Sequence, residues 1–122
     1  MNFRYARHTN RLQPLIKFYT EIIGLNILGS FENHDYYDGV FLGFIGDKWH
    51  LEFTVSDESA NHKPDEDDLL VFYVDSQSEM NAIVNRAIAS STKITEAKNP
   101  YWKENGVVLI DPDGFGVVIS VK

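Results

Sequence analysis

The chain contains no cysteine. That one absence excludes disulfides, a thiolate nucleophile, and cysteine-bound zinc or iron–sulfur sites. It suits a reducing compartment, so a cytoplasmic protein is expected. Long apolar runs are missing too. No stretch approaches the roughly 18 apolar residues that a bilayer span needs, and residues 1–10 (MNFRYARHTN) carry no apolar signal core. Neither export nor a membrane partner is expected. Basic residues are scarce, at 11 Lys and Arg against 18 Asp and Glu, for a net charge of −7. A chain of that balance binds nucleic acid or anionic lipid poorly and attracts cations through its field. The attraction is diluted, because Asp57, Glu58, Asp65, Glu66, Asp67 and Asp68 fall in one short polar stretch that reads as a solvated linker.

What is present suits one domain. There are 122 residues, 43% of them hydrophobic, enough for a real core. Residues 3–9 read as a short strand. Leu12, Leu15, Ile16, Tyr19, Ile22 and Ile23 then recur at helical spacing. Asn10 is an expected N-cap and Gly24 an expected C′ glycine, so a helix is predicted over 11–23. Pro14 falls in its first turn, where a missing N–H is tolerated. Strands are predicted at 25–33, 36–45 and 48–56, with turn chemistry at His34-Asp35 and Gly46-Asp47-Lys48.

The pattern restarts beyond the polar stretch 57–68. Residues 69–75 (LLVFYVD) form a β-rich run. Ser76 and Glu79 match a capping box, and Met80, Ile83, Val84, Ala87 and Ile88 mark an amphipathic helix to about residue 89. A weak strand is expected near 92–97. Clear strands are expected at 105–110 and 115–121, joined by Asp111-Pro112-Asp113-Gly114. The order β-α-β-β-β thus occurs twice. Asp47 and Trp49 register with Asp113 and Phe115 at an offset of about 66 residues.

Strand parity sorts the faces. In the third strand of this first set, Leu51, Phe53 and Val55 should lie under the helix, leaving His50, Glu52 and Thr54 on the other side. The first strand divides into Phe3, Tyr5, Arg7 and Arg4, Ala6, His8, with a charge in each set, so its orientation stays open. In the last strand Val117, Ile119 and Val121 read as core. Gly116, Val118 and Ser120 are then expected on the same concave side as Glu52.

The paired modules, the helix carrying Phe18-Tyr19, the Ile23-Gly24-Leu25 that follows and the DPDG turn at 111–114 together resemble the vicinal oxygen chelate superfamily. This is the glyoxalase, bleomycin-resistance and extradiol-dioxygenase group, and the resemblance spans essentially the whole chain. It implies an α+β fold of tandem βαβββ modules (about 1–56 and 69–122) whose curved mixed sheets surround a cup. It also implies a homodimer. Metal enzymes of the group hold a divalent ion at four positions, one on the first and one on the fourth strand of each module. By the resemblance these fall on Arg4, Glu52, Leu69 and Val118. Leu and Val have no donor atoms, a guanidinium repels a cation, and a lone Glu52 falls short of the three or more protein ligands of catalytic sites. No HxH, HxxxH or HExxH spacing offers a substitute. No metal and no cofactor are therefore expected.

These readings predict a metal-free, glyoxalase/bleomycin-resistance-like protein that binds an unidentified small molecule. The candidate ligand-binding residues are Arg4, His50, Glu52, Tyr101 and Trp102. Arg4 and Glu52 are expected to pair, or Arg4 to hold an anionic group. Tyr36, Tyr37, Phe41 and Trp49 are further aromatic candidates for lining or rim. Asn99-Pro100-Tyr101-Trp102 reads as a loop, and two large aromatics there should cover something. His34 and His62 read as exposed loop residues. Two alternatives are a metal-dependent glyoxalase-like lyase or dioxygenase, and a metal-free acid–base enzyme with Glu52 and His50 catalytic. A third is an interaction module without a pocket. No nucleophile with a partner base is visible in the sequence.

Overall fold

β1 (Phe3–His8) pairs in parallel with β4 (Trp49–Val55), which pairs antiparallel with β3 (Tyr37–Gly43), and β3 in turn with β2 (Asn26–His34). The computed structural model describes residues 1–122 and divides them into two compact units, Met1–Asn61 and His62–Lys122. Each unit contains one mixed four-stranded sheet. The first runs β1-β4-β3-β2, and the second runs β5 (Leu69–Val74), β8 (Gly116–Val121), β7 (Val107–Ile110), β6 (Ile94–Thr95), so the topology repeats strand for strand. Helices pack on the sheets, neither of which closes into a barrel.

In the first unit the single expected helix is two. α1 (Leu12–Lys17) passes into a π-helix at Phe18–Ile23. The wider turn shows in Gly24 N–H, which donates to the Tyr19 carbonyl five residues back at 3.1 Å. Gly24 has φ 98°, the left-handed conformation expected of a residue that ends a helix. Asn10 is not the cap. Arg11 holds that position without a side-chain bond, and Asn10 Oδ1 instead accepts from Ala60 N–H at 2.8 Å, tying the chain beyond β4 back to the helix start. The helical segment buries Leu15, Phe18, Tyr19, Ile22 and Ile23 against Val40, Leu42, Leu51 and Phe53. Each such side chain contributes roughly 1.5–3 kcal/mol when fully buried. Tyr19 stacks on Phe53 at 5.2 Å with a 29° tilt, and Phe18 meets Tyr19 edge-on. The Phe-Tyr pair is therefore core.

The second unit contains β5 (Leu69–Val74), α2 (Gln77–Ala89), β6 (Ile94–Thr95), α3 (Pro100–Asn105), β7 (Val107–Ile110) and β8 (Gly116–Val121). The Ser76 hydroxyl caps α2 by accepting from Glu79 N–H at 3.1 Å. The returning carboxylate bonds Asp75 N–H at 2.8 Å, one residue earlier than a capping box requires. The DPDG segment is an Asx turn. Asp111 Oδ1 accepts from Asp113 and Phe115 N–H at 2.9 and 3.0 Å, and Gly114 adopts φ 91°.

Three expectations fail here. Residues 99–102 are not a loop, because Pro100 opens α3 and Asn99 Oδ1 caps it through Tyr101 N–H at 3.0 Å. Gly116, Val118 and Ser120 do not line an open face, since every residue from Gly116 to Ser120 is buried while Val121, assigned to the core by parity, is exposed. Ser120 Oγ donates to the Asn105 carbonyl at 2.6 Å and Val118 lies against Gly106, so the end of α3 covers that side of β8. His62 is half-buried, edge-on to Phe115 at 5.5 Å, whereas His34 is exposed as expected. No helix is long and apolar enough to cross a membrane.

Candidate functional site

Parallel and antiparallel register decide which side chains share a face. Arg7 pairs with Phe53 and Tyr5 with Leu51. This settles β1: Phe3, Tyr5 and Arg7 lie on the helix side. Arg7 is only 5% exposed. Its Nε donates to the Tyr5 hydroxyl at 3.3 Å, and its guanidinium sits over the Phe53 and Tyr5 rings at 5.3 and 5.5 Å. The two aromatic faces attract the guanidinium, and the stem packs beside them.

The other side of the sheet carries Arg4, Ala6 and His8 from β1, His50, Glu52 and Thr54 from β4, and Gly39, Phe41 and Gly43 from β3. Four of these form one group. Arg4 Nε donates to His50 Nε2 at 2.8 Å. Arg4 Nη1 lies 3.6 Å from Glu52 Oε1, an ion-pair distance but long for a hydrogen bond. The guanidinium rests over the Phe41 ring at 5.0 Å, and the His50 ring meets Phe41 edge-on at 5.6 Å. The Arg4 side chain is 51% exposed and that of Glu52 15%. Phe31 flanks the group at 5.6 Å from Phe41. Its ring covers Gly39, where a Cβ would collide with it.

Farther along this face His8 Nε2 and Ser56 Oγ are 2.9 Å apart, with Tyr37 beside the imidazole. This hydroxyl–imidazole pair went unseen in the sequence because 48 residues separate its members. Ser56 Oγ also accepts from Glu58 N–H at 3.2 Å, so it serves the chain turn after β4. A shallow groove of about 440 Å³ along α1, lined by Arg11, Gln13, Lys17 and Glu21 among others, belongs to the opposite side of the sheet.

Tyr101 and Trp102 lie in the second unit. Their rings meet edge-on at 4.8 Å, and Trp102 lies 6.4 Å from Tyr73 on β5. Tyr73 and Tyr101 are both more than half exposed. Tyr36 is an exposed turn residue at φ 71°. Trp49 packs against Phe44. Of the candidate ligand-binding residues, the first unit thus gathers Arg4, His50 and Glu52 and adds Phe41, while Tyr101 and Trp102 form an aromatic cluster with Tyr73 within the second unit.

The residues at the four positions that the resemblance assigns to metal ligands do not fit a divalent ion. Arg4 directs its cationic head at both donors beside it, His50 and Glu52. In the second unit Leu69 pairs with Gly116 as Arg4 pairs with His50, and Val118 is fully buried. Neither has a donor atom. No three His, Cys, Asp or Glu side chains gather closely enough to hold a metal ion.

Comparison with known proteins adds a lineage to this geometry. Residues 3–54 match the YycE-like N-terminal domain and residues 67–120 the YycE-like C-terminal domain. The chain is 40% identical over 116 residues to the uncharacterized protein YycE of Bacillus subtilis, covering 94% of this chain and 84% of that one. A crystal structure of a YycE protein of unknown function from the same organism, provisionally described as a glyoxalase/fosfomycin resistance protein, superposes with a TM-score of 0.89 at 39% identity. It covers 98% of this chain and 88% of its own. The trypanothione-dependent glyoxalase I of Leishmania major shares the fold at a TM-score of 0.75 and 22% identity, over 97% of this chain and 84% of its own. So does an antibiotic binding protein from a Streptomyces species, at 0.69 and 16%, over 99% and 94%.

Proposed function

The chain belongs to the YycE-like family of the vicinal oxygen chelate superfamily, and from that premise we propose that it is a metal-free protein that binds a small molecule on the face carrying Arg4, His50 and Glu52. The observation that carries this reading is the position of the Arg4 guanidinium, bonded to His50 and 3.6 Å from Glu52. By the superfamily resemblance Arg4 falls on a metal-ligand position, and its half-exposed guanidinium supplies a cation there. Its outer edge is half exposed, so its Nη donors can take an acidic or carbonyl group of a ligand. Phe41 and Phe31 provide apolar surface alongside, the usual companion of a few polar anchors in a small-molecule site. The antibiotic binding protein from Streptomyces is a precedent for small-molecule binding on this fold. The same reading includes Tyr101 and Trp102 as a second, aromatic contact region, and a cytoplasmic homodimer.

Acid–base catalysis by Glu52 and His50 is less well supported. His50 Nε2 already accepts from Arg4, so it is not the base that a substrate would meet. A metal-dependent lyase or dioxygenase needs donors that Arg4, Leu69 and Val118 do not have.

Two measurements test the proposal. Elemental analysis of protein purified without a metal-affinity tag should find no stoichiometric divalent ion. A small-molecule thermal-shift screen should give hits on the native chain that vanish in Arg4→Met. A stoichiometric ion, or hits that persist undiminished in Arg4→Met, would overturn it.

A further inference from the structure

The charge arrangement around Arg4 narrows the class of ligand. Glu52 is largely shielded from water, yet its only polar contact is the 3.6 Å approach of Arg4 Nη1. That contact leaves most of the carboxylate's acceptor sites to water, which a ligand's donor group can replace. Arg4 has the converse surplus. Nε is committed to His50, and the Nη groups have donors left over on a half-exposed head. A free donor cluster and a free acceptor cluster therefore sit side by side on one face, with no net charge between them.

An anion approaching Arg4 meets the Glu52 carboxylate a few ångströms away, and a cation approaching Glu52 meets the guanidinium. Either single charge loses to repulsion much of what it gains. A ligand bearing both charges close together satisfies both clusters. The apolar neighbours Phe41 and Phe31 suit an uncharged, preferably aromatic, remainder. We propose that the Arg4–Glu52 face selects small zwitterions of the amino-acid type, the acid on Arg4, the ammonium on Glu52 and an apolar side group over the phenylalanines. This choice also reconciles the acidic chain, which favours cations, with an arginine in the site, which favours anions.

The inference rests on the binding function proposed above, and its test separates the two. Three probes of one shape are compared by ¹H–¹⁵N chemical-shift titration of the intact chain: L-phenylalanine, 3-phenylpropionate with the acid alone, and phenethylamine with the amine alone. L-phenylalanine is expected to bind at least about tenfold more tightly than either analogue, with shifts centred on residues 4, 41, 50 and 52. Glu52→Gln should erase that preference by weakening L-phenylalanine and strengthening 3-phenylpropionate. Arg4→Met should likewise weaken L-phenylalanine, while strengthening phenethylamine. If L-phenylalanine binds no better than an analogue, or causes no shifts, the zwitterion proposal is overturned. Should library hits nonetheless depend on Arg4, the binding function survives without it; if they do not, both fall.

Discussion

Arg4 Nε donates to His50 Nε2 across the parallel β1–β4 pair, 2.8 Å apart and 46 residues distant in the chain. The bond fixes two things together. It holds the guanidinium in place over Phe41, and it makes Nε2 the acceptor nitrogen of the ring, so the neutral imidazole bears its proton on Nδ1.

That tautomer is directly observable. Long-range ¹H–¹⁵N correlation on the imidazole should show an unprotonated Nε2 and a protonated Nδ1 for His50. His50→Phe should abolish the pattern and reduce affinity for any ligand whose binding depends on Arg4. A protonated Nε2 in the neutral ring would rule out the bond.

Arg4→His should create a metal site. It exchanges a cation for an imidazole beside His50 and Glu52, giving three donors on one sheet face, the minimum that catalytic zinc sites use. Affinity for Zn²⁺ is expected to rise at least about tenfold over the native chain. The gain should disappear when Glu52→Gln is added. Isothermal titration reads both, and equal affinity in native and variant proteins would count against the placement.

Arg7 should matter for stability and not for ligands. Its stem and head fill the space over Tyr5 and Phe53, so Arg7→Ala is expected to cost about 2–4 kcal/mol in urea unfolding. Arg7→Met, which keeps the stem, should cost less. Tyr5→Phe should lose about 1 kcal/mol for one hydrogen bond. A ligand-affinity change without a stability change in these variants would contradict the assignment of Arg7 to the helix side.

Gly106 permits α3 to close over β8. A Cβ there would stand 2.5 Å from Val118 Cγ1 and 3.0 Å from the Ile119 carbonyl. Gly106→Ala is expected to destabilise by about 1–3 kcal/mol through overpacking. Val118→Ala in the same chain should recover part of that loss, a coupling that a double-mutant cycle measures. Strict additivity would mean that the two residues are not in contact.

The sequence carried the element order well, because each strand and helix announces itself by local periodicity and turn chemistry. Gly24, Asp111-Pro112-Asp113-Gly114 and Ser76 behave as their residue types require. It misplaced Asn10, whose side chain found a partner 50 residues away. It also missed α3, where Asn99-Pro100 could be read either as a turn or as a capped helix start. The π-turned end of the first helix left no periodic signature in six residues.

By itself the sequence determined that there are two modules of one plan, that β4 turns His50 and Glu52 to one side, and that Leu69 and Val118 cannot ligate a metal. These follow from chemistry and from a period of two, which need no neighbours. Only the tertiary structure decided which of the two arginines of β1 is core and which is site. Both faces of that strand carry a charge, and the choice depends on pairing β1 with β4 so that Arg7 falls beside Phe53 and Arg4 beside His50. It likewise decided that Val118 and Ser120 are covered, because the end of α3 lies over β8, where Ser120 Oγ donates to the Asn105 carbonyl. Register and long-range closure are properties of pairs of segments, and a single strand's alternation does not encode them.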